Sequence, residues 1–221
     1  RDDIWINSEI GWAYNHLNQF EKALPYLEKA KELGRDDEWI YFEIGYSLAR
    51  LDKVNEGLEC YQKALELGKD DIPTNGEIGY WLDHLGKYNE ALPYLEKCKK
   101  LGRDDQWINT EIGFCLNRLE RYDEALLYFE KAIELGKNNE WVYSEMAFCL
   151  KKLGKYDKAL EYYQKSEELG RNDEWIVSQI AECLENLEKI EEAIAKLKSF
   201  VVTEVGNTDT VNSQIGYLYG K

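Results

Sequence analysis

A short acidic motif that ends in a tryptophan recurs along the sequence. The stretch LGRDDEW (residues 33–39) carries two aspartates and a glutamate, and near-copies return four more times. Oxygen-rich loops of this kind can bind a hard cation such as Ca²⁺, which takes roughly six to eight oxygen ligands. The other copies argue against a metal site, because LGKNNEW replaces both aspartates by asparagine and LGKDDIP lacks the glutamate and the tryptophan. Neither a metal nor another cofactor is expected.

Helix boundaries explain every copy of this motif. Gly34 can take the left-handed conformation that ends a helix, and Asp36 or Asp37 can cap the next one, a role that the asparagines of LGKNNEW fill equally well. Glu38 then lies in the first turn, where the helix dipole favours negative charge. The motif therefore predicts a helix stop followed at once by a helix start.

The elements that position these residues repeat along the chain. The leucine of the motif recurs every 34 residues, and the triplet Glu-Ile-Gly of residues 9–11 returns at 43–45, 77–79 and 111–113. Each period holds two apolar stripes at helical spacing, separated by a short break, and Asp123 or Asp157 is expected to cap the second helix. Such a period is typical of stacked helix pairs, which bury a common core only with their neighbours.

Small and aromatic residues recur at fixed places in each period. They are Gly45, Ala23, Ala91, Ala125, Ala159, Ala193, Ala30, Ala64, Ala132, Tyr61, Phe129 and Tyr163. With the 34-residue period and the segment YDEALLYFEKAIEL (122–135), these residues resemble the tetratricopeptide repeat family. The resemblance implies an all-α fold, a right-handed α-α superhelix (solenoid) of about six helix-turn-helix repeats with a C-terminal solitary helix.

The repeats predict a single array over residues 1–221. The expected repeats are about 1–34, 35–68, 69–102, 103–136, 137–170 and 171–206, and the terminal helix is expected at about 208–219. The chain opens in the middle of the motif, as RDDIW, so a fragment of a longer protein stays an open alternative.

Composition narrows the classes of partner. The 221 residues carry a formal net charge of -15, which repels nucleic acid and anionic membranes. No apolar run approaches the ~18 residues of a membrane span. The five cysteines form no C-x-x-C pair, and three of them lie 34 residues apart, which predicts buried thiols and a cytoplasmic location.

A second stripe follows one face of each first helix, at spacing i, i+4, i+7 and i+11. It reads glutamate, then aromatic, then basic after an opening tryptophan, which Pro73 replaces in the third repeat. Its members are Trp5, Glu9, Trp12 and His16; Trp39, Glu43, Tyr46 and Arg50; Glu77, Tyr80 and His84; Trp107, Glu111, Phe114 and Arg118; and Trp141, Glu145, Phe148 and Lys152.

The resemblance implies that this face lines a concave groove for peptides. Parallel rows of glutamates and aromatics would suit a protein or peptide with basic residues or mixed charge, through ion pairs and cation–π contacts. Packing is the alternative: the tryptophans can fill the seam between helices, and Glu43 can pair with a basic residue of a neighbouring repeat. Both interpretations stay open for the tryptophans.

Together these patterns predict a non-catalytic protein-binding scaffold rather than an enzyme. No P-loop, dinucleotide motif or nucleophile–histidine–acid set is present. The alternative is a ligand sensor or regulatory module that binds a small molecule, a sugar or a signalling peptide in the same groove, and self-association of two copies through the aromatics is left open. The resemblance also disfavours chaperone C-terminal tails as partners. Repeat proteins that bind such tails use Lys and Asn or Arg at five groove positions, and the corresponding positions here hold Ser8, Trp12, Glu43, Pro73 and Glu77.

Overall fold

The computed structural model describes residues 3–203 and 209–221, and all regular structure within them is α-helical. The first helices of the pairs are α1 (Ile4–His16), α3 (Glu38–Arg50), α5 (Ile72–His84), α7 (Gln106–Arg118), α9 (Glu140–Lys152) and α11 (Glu174–Asn186). The second helices are α2 (Phe20–Glu32), α4 (Val54–Glu66), α6 (Tyr88–Lys100), α8 (Tyr122–Glu134), α10 (Tyr156–Glu168) and α12 (Ile190–Thr203), and α13 (Asp209–Tyr219) follows. The all-α repeat architecture predicted from the sequence is confirmed.

The helices form two compact units, Arg1–Asp104 with α1 to α6 and Asp105–Lys221 with α7 to α13. Inside each unit the two helices of a pair pack against each other, and the second helix of one pair packs on the first helix of the next. This is the arrangement by which neighbouring repeats bury a shared core.

One hydrophobic cluster in the core of the first unit lies between α2 and α3. It consists of Ala23, Leu27, Ala30, Ile40, Ile44 and Leu48. The glycine of the Glu-Ile-Gly triplet allows the two helices of a pair to approach closely: a Cβ on Gly45 would lie 2.9 Å from the carbonyl oxygen of Gly57. In the second unit Phe129 and Tyr163 are fully buried at matching places on α8 and α10.

The cysteines belong to these cores. Cys98, Cys115, Cys149 and Cys183 are buried, and Cys60 is half-buried. Burial raises the pKa of the Cys149 thiol to about 12. The prediction of buried thiols is therefore confirmed for four of the five.

The second helices end, and the first helices begin, as the LGRDDEW motif predicts. Gly34 has a φ of 107°, and the N–H of Arg35 donates to the carbonyl of Ala30 at 3.1 Å, which closes the end of α2. The Asp37 carboxylate accepts from the N–H of Ile40 at 2.9 Å and caps α3. The equivalent caps are Asp3, Asp71, Asp105, Asn139 and Asp173.

The second helices begin differently, and the predicted caps Asp123 and Asp157 are wrong. Neither α8 nor α10 has a side-chain cap among the residues described. The turn before α8 contains Glu120 in the left-handed region, with a φ of 60°, and the helix starts directly afterwards at Tyr122. Asp123 is therefore already inside the first turn, where its carboxylate lies 3.6 Å from the Nζ of Lys155.

The terminal helix α13 packs on α12 and α11, and its residues Val211 and Leu218 are buried. Its predicted start at Thr208, like the predicted end of the sixth repeat at residue 206, lies outside the described residues. Within residues 3–203 and 209–221, none of the helices is long and apolar enough to cross a membrane. The same residues contain no cluster of three or more histidine, cysteine or acidic side chains arranged for a metal ion.

Candidate functional site

The predicted stripe lies on the first helices, and its members differ widely in exposure. The exposed members are Trp5, Glu9, Trp12, His16, His84, Arg118, Trp141 and Lys152. The half-buried members are Trp39, Tyr46, Arg50, Glu77, Tyr80, Trp107, Glu111, Phe114 and Phe148, and the buried members are Glu43 and Glu145. The exposed side chains are thus mostly aromatic or basic, whereas the glutamates are largely withdrawn from solvent.

Glu43 is held inside the seam between α1 and α3. The Nδ2 of Asn15 donates to its Oε2 at 2.9 Å, and the Ser47 hydroxyl donates to the Oδ1 of Asn15 at 2.6 Å. Burial raises the pKa of the Glu43 carboxyl, and the hydrogen bond from Asn15 opposes part of that rise. These hydrogen bonds link α1 to α3, so the carboxylate serves the packing of two repeats.

Glu77 is engaged even more fully, between α3 and α5. The guanidinium of Arg50 donates two parallel hydrogen bonds of 2.9 Å to its carboxylate, and the Tyr61 hydroxyl and the indole N–H of Trp81 donate at 3.2 and 3.0 Å. Arg50 also stacks 3.9 Å above the ring of Tyr46. A basic residue of one repeat therefore neutralises the glutamate of the next.

Glu145 repeats this arrangement in the second unit in a looser form. The Nδ2 of Asn117 donates to its Oε2, while the Arg118 guanidinium nitrogens lie 3.4 and 3.5 Å from its two oxygens. Cys149 occupies the position of Ser47, 102 residues later. Because the hydroxyl is gone, the buried Oδ1 of Asn117 has no hydrogen-bond partner within the described residues.

Arg118, Glu145 and four further side chains surround a cavity of about 400 Å³ in the second unit. The lining residues are Arg118, Trp141, Glu145, Phe148, Arg171 and Trp175, and we call this cavity the Trp141 pocket. Trp141 is 51% exposed and Trp175 is 37% exposed. Four of the six residues come from the predicted stripe, and Trp175 is the opening tryptophan of the sixth repeat.

Arg171 forms the back of the Trp141 pocket. Its guanidinium carbon lies 4.1 Å from the ring centroid of Trp141 and 4.6 Å from that of Trp175, so it is held between two indoles. It also donates to the Asp173 carboxylate at 3.0 Å and to the Ser144 hydroxyl. Stacking of this kind stabilises the ring positions, by roughly 0.5–2 kcal/mol for a cation–π pair.

A smaller cavity of about 310 Å³ occupies the matching place in the first unit. It is lined by Asn15, His16, Asn18, Phe42, Glu43 and Tyr46. His16, Glu43 and Tyr46 correspond to Arg118, Glu145 and Phe148 of the Trp141 pocket. The two cavities therefore share a plan, but the first lacks an arginine at its mouth and tryptophans on its walls.

A buried tyrosine also distinguishes the two units. The hydroxyl of Tyr61 donates to Glu77, whereas that of its equivalent Tyr163 has no partner in the parts of the chain that the structure describes. Gln179 occupies the place of Glu77, and its amide oxygen accepts from Lys151 at 2.6 Å instead. The Tyr163 ring packs edge-on against Trp175, with centroids 6.0 Å apart. The polar seam of the second unit is thus incompletely paired.

A wider depression of about 720 Å³ lies on the other side of the first unit. It separates α4 from α6 over a floor that includes Ile78 and Leu82, and Pro93 and Tyr94 line it. A similar depression in the second unit lies between α10 and α12. Since the same gap recurs at the same place in both units, we attribute it to the spacing of second helices rather than to a specialised site.

Comparison with family models identifies the chain. Models of the tetratricopeptide repeat match residues 6–37, 40–71 and 72–105, and a second such model matches residues 104–172. The chain therefore belongs to the tetratricopeptide repeat proteins. A comparison with curated protein sequences returns no significant match.

Several solved structures share the fold of this chain. PilF of Pseudomonas aeruginosa is 20% identical and superimposes with a TM-score of 0.70, covering 96% of each chain. MamA AMB-1 is 21% identical with a TM-score of 0.70, covering 80% of this chain and 97% of its own. YrrB, described as a tetratricopeptide repeat protein with an unusual peptide-binding site, is 24% identical with a TM-score of 0.68, covering 79% and 90%. At these identities the likeness concerns the fold.

Sequence reasoning missed Arg171 and Asn117 as parts of the site. Arg171 belongs to a recurring basic position after the helix-ending glycine, and its equivalent Arg35 stacks 3.9 Å above Trp39. That recurrence, four residues before each tryptophan, was the available signal. For Asn117 the signal was weaker, because only Asn15 shares the residue type at the equivalent position.

Proposed function

We propose that this protein is a non-catalytic scaffold that binds an extended or helical segment of another protein on the first-helix face, with the Trp141 pocket as the anchor. The observation that carries the proposal is a half-exposed tryptophan beside a half-exposed arginine at a concave place. Tryptophan and arginine are the side chains that most often dominate binding energy at interfaces. Membership of a repeat family whose relative YrrB has a peptide-binding site supports the same function.

The charge of the partner depends on which glutamates of the stripe are accessible. The expected preference for a basic partner relied on accessible glutamates, but Glu43, Glu77 and Glu145 are engaged by Asn15, Arg50 and Asn117. We therefore propose a partner of mixed charge, in which an apolar or aromatic side chain enters the Trp141 pocket. The overall charge of -15 still favours encounter with a partner that carries basic residues elsewhere.

A displayed library of random peptides tests the proposal. We expect selection on the intact chain to enrich peptides whose affinity falls by about tenfold or more on Trp141→Ala, because loss of an anchor residue typically costs more than ~1.4 kcal/mol. The matched control is Leu127→Ala, which removes another exposed apolar side chain, 65% exposed on α8.

Both variants should retain the helical circular dichroism of the parent chain, since both side chains are exposed. Equal loss of affinity in the two variants, or no loss in either, would contradict the proposed site.

A further inference from the structure

We propose that the Trp141 pocket selects an acidic side chain, an aspartate or glutamate of the bound segment that lies next to its apolar anchor. This inference rests on the proposed function and assigns the charge of the partner at that same site. It reverses, for this pocket, the preference for basic residues that the stripe of glutamates suggests.

The charged groups around the pocket are predominantly cations. Arg118 and Arg171 line it, and the exposed Lys152 places its Nζ 5.3 Å from the ring centroid of Phe148. The acidic groups are Glu145, which lines the pocket, and Asp173, which holds Arg171. Lys151 adds no accessible positive charge to the pocket, because it is buried and paired with Glu182 at 2.6 Å.

Both acidic groups are already engaged inside the chain. Glu145 is buried and accepts from Asn117 and Arg118. The Asp173 carboxylate accepts from Arg171 and, through its other oxygen, from the N–H of Ile176 as the cap of α11. A basic side chain entering the pocket would find these carboxylates already paired, because Glu145 is buried and Asp173, whose side chain is 48% exposed, holds Arg171.

Arg118 has hydrogen-bond donors that remain available to a ligand. Its side chain is 44% exposed, and its contacts with Glu145 at 3.4 and 3.5 Å are much longer than the ~2.7–2.9 Å of a strong charge-assisted hydrogen bond. Arg50 shows the closed alternative in the first unit, since it is only 25% exposed and makes two bonds of 2.9 Å to Glu77. A guanidinium has five donors in a planar fork that matches a carboxylate.

An acidic ligand group would therefore complete the site. Its carboxylate can take two parallel bonds from Arg118 at the mouth, while an adjacent apolar side chain lies against Trp141 and Phe148. The net charge of -15 opposes this only weakly at contact distance, because charges more than ~8 Å away are largely screened at physiological ionic strength. The nearby cations then decide the preference.

Three displayed peptide libraries of equal apolar content provide the test. Their charged or polar positions hold only Asp and Glu, only Lys and Arg, or only Asn and Gln. Each library is selected on the intact chain and on Trp141→Ala, so that binding at the pocket is separated from binding elsewhere. We expect the acidic library to give the tightest peptides that depend on Trp141.

Two charge variants identify the residue responsible. Arg118→Gln should weaken the acidic peptides by about tenfold, because hydrogen bonds to a charged group are lost. Arg118→Glu should shift the preference towards the Lys and Arg library. The control for Arg118→Glu is Lys131→Glu on α8, whose side chain is 41% exposed; it changes the net charge equally and should leave the ranking of the libraries unchanged.

The outcomes separate the two proposals. If Trp141-dependent peptides come equally or better from the basic or the uncharged library, the acidic preference is wrong and the binding site stands. If none of the three libraries gives peptides that depend on Trp141, the site itself is wrong, and the charge inference fails with it. Circular dichroism of each variant excludes loss of folding as the cause of either result.

Discussion

Asn15 and Asn117 occupy the same position in their repeats and make the same hydrogen bond to a glutamate of the next repeat. Their other amide atoms differ, because Ser47 donates to the Oδ1 of Asn15 while Cys149 leaves that of Asn117 without a partner in the described chain. The replacement of a hydroxyl by a thiol thus leaves the amide oxygen of the asparagine without its hydrogen bond. Matched positions in the two units act as controls for each other.

The paired tyrosines give a direct prediction at this scale. We expect Tyr61→Phe to lower the free energy of unfolding by about 1–2 kcal/mol, because it removes a hydrogen bond to the Glu77 carboxylate. Tyr163→Phe should change it by less than ~0.5 kcal/mol or raise it, since the buried hydroxyl of Tyr163 has no acceptor within residues 3–203 and 209–221. Denaturant unfolding of both variants and the parent chain provides the measurement.

The comparison of the two losses in unfolding free energy decides whether the Tyr163 hydroxyl has a partner. A larger loss in Tyr163→Phe than in Tyr61→Phe would mean that the Tyr163 hydroxyl has a partner, such as an internal water, and that the seam of the second unit is closed. The two substitutions remove the same atom from fully buried rings, so differences in packing contribute little to the comparison.

The sequence predicted which residues share a face, but not how each is used. Helical spacing alone places Glu43, Glu77 and Glu145 in one row. Whether such a carboxylate faces solvent depends on the residue that approaches from the preceding repeat, and here Asn15, Arg50 and Asn117 approach. That contact spans 27 or 28 residues of sequence, so periodicity within one helix carries no information about it.

The tryptophans illustrate the same limit. The five that open a repeat range from half-buried at Trp39 and Trp107 to 67% exposed at Trp5. The alternatives of packing and binding therefore apply to different members of one row rather than to the row as a whole. Trp39 packs against the core of the first unit, whereas Trp141 forms the wall of a cavity.

At the scale of the helix, the two kinds of helix start differ in how predictable they are. First helices begin at an aspartate or asparagine whose side chain accepts a backbone N–H, a signal that the sequence carries openly. Second helices begin after a residue with positive φ, such as Glu120 or Gly154. Within the described residues, α2, α4, α6, α8 and α10 have no side-chain cap. A left-handed glutamate has no distinctive sequence signature, so the start of α8 was predicted too late.

Alanine substitutions at the two kinds of helix start measure how much a side-chain cap contributes to stability. We expect Asn139→Ala to cost about 1 kcal/mol of stability, because its Oδ1 accepts from the N–H of Val142 at 3.0 Å and no other group caps α9 in the described structure. Asp123→Ala should cost less than ~0.5 kcal/mol, since Asp123 is exposed and caps nothing. Equal costs for the two variants would restore Asp123 as a cap of α8.

For the whole molecule, the 34-residue period predicted the fold class correctly because each repeat must present the same small and aromatic residues to its neighbours. The period does not predict the residues that differ between repeats, and these residues form the Trp141 pocket. Trp175 stands where the first unit has Pro73, and Arg171 stands where it has Lys69, so the second unit gains a second indole and a guanidinium at these positions.

The large negative charge leads to a prediction for the whole chain. With 43 acidic and 28 basic residues, like charges repel within the folded protein. Salt shortens the range of this repulsion, from a Debye length of ~30 Å at 0.01 M to ~8 Å at 0.15 M. Salt also weakens attractive ion pairs, but exposed pairs contribute at most about 1 kcal/mol each and often nothing. We therefore expect the thermal unfolding midpoint to rise as NaCl is increased over this range.

A charge-reduced variant distinguishes repulsion from other effects of salt. Glu130→Gln with Glu161→Gln removes two negative charges from exposed positions on α8 and α10. It should raise the midpoint at low salt and flatten its dependence on NaCl, because less repulsion remains to be screened. A midpoint that falls with NaCl in the parent chain would show instead that attractive pairs such as Arg50–Glu77 outweigh the net charge. The same salt series applied to acidic peptides at the Trp141 pocket should act in the opposite direction, since there the interaction being screened is attractive.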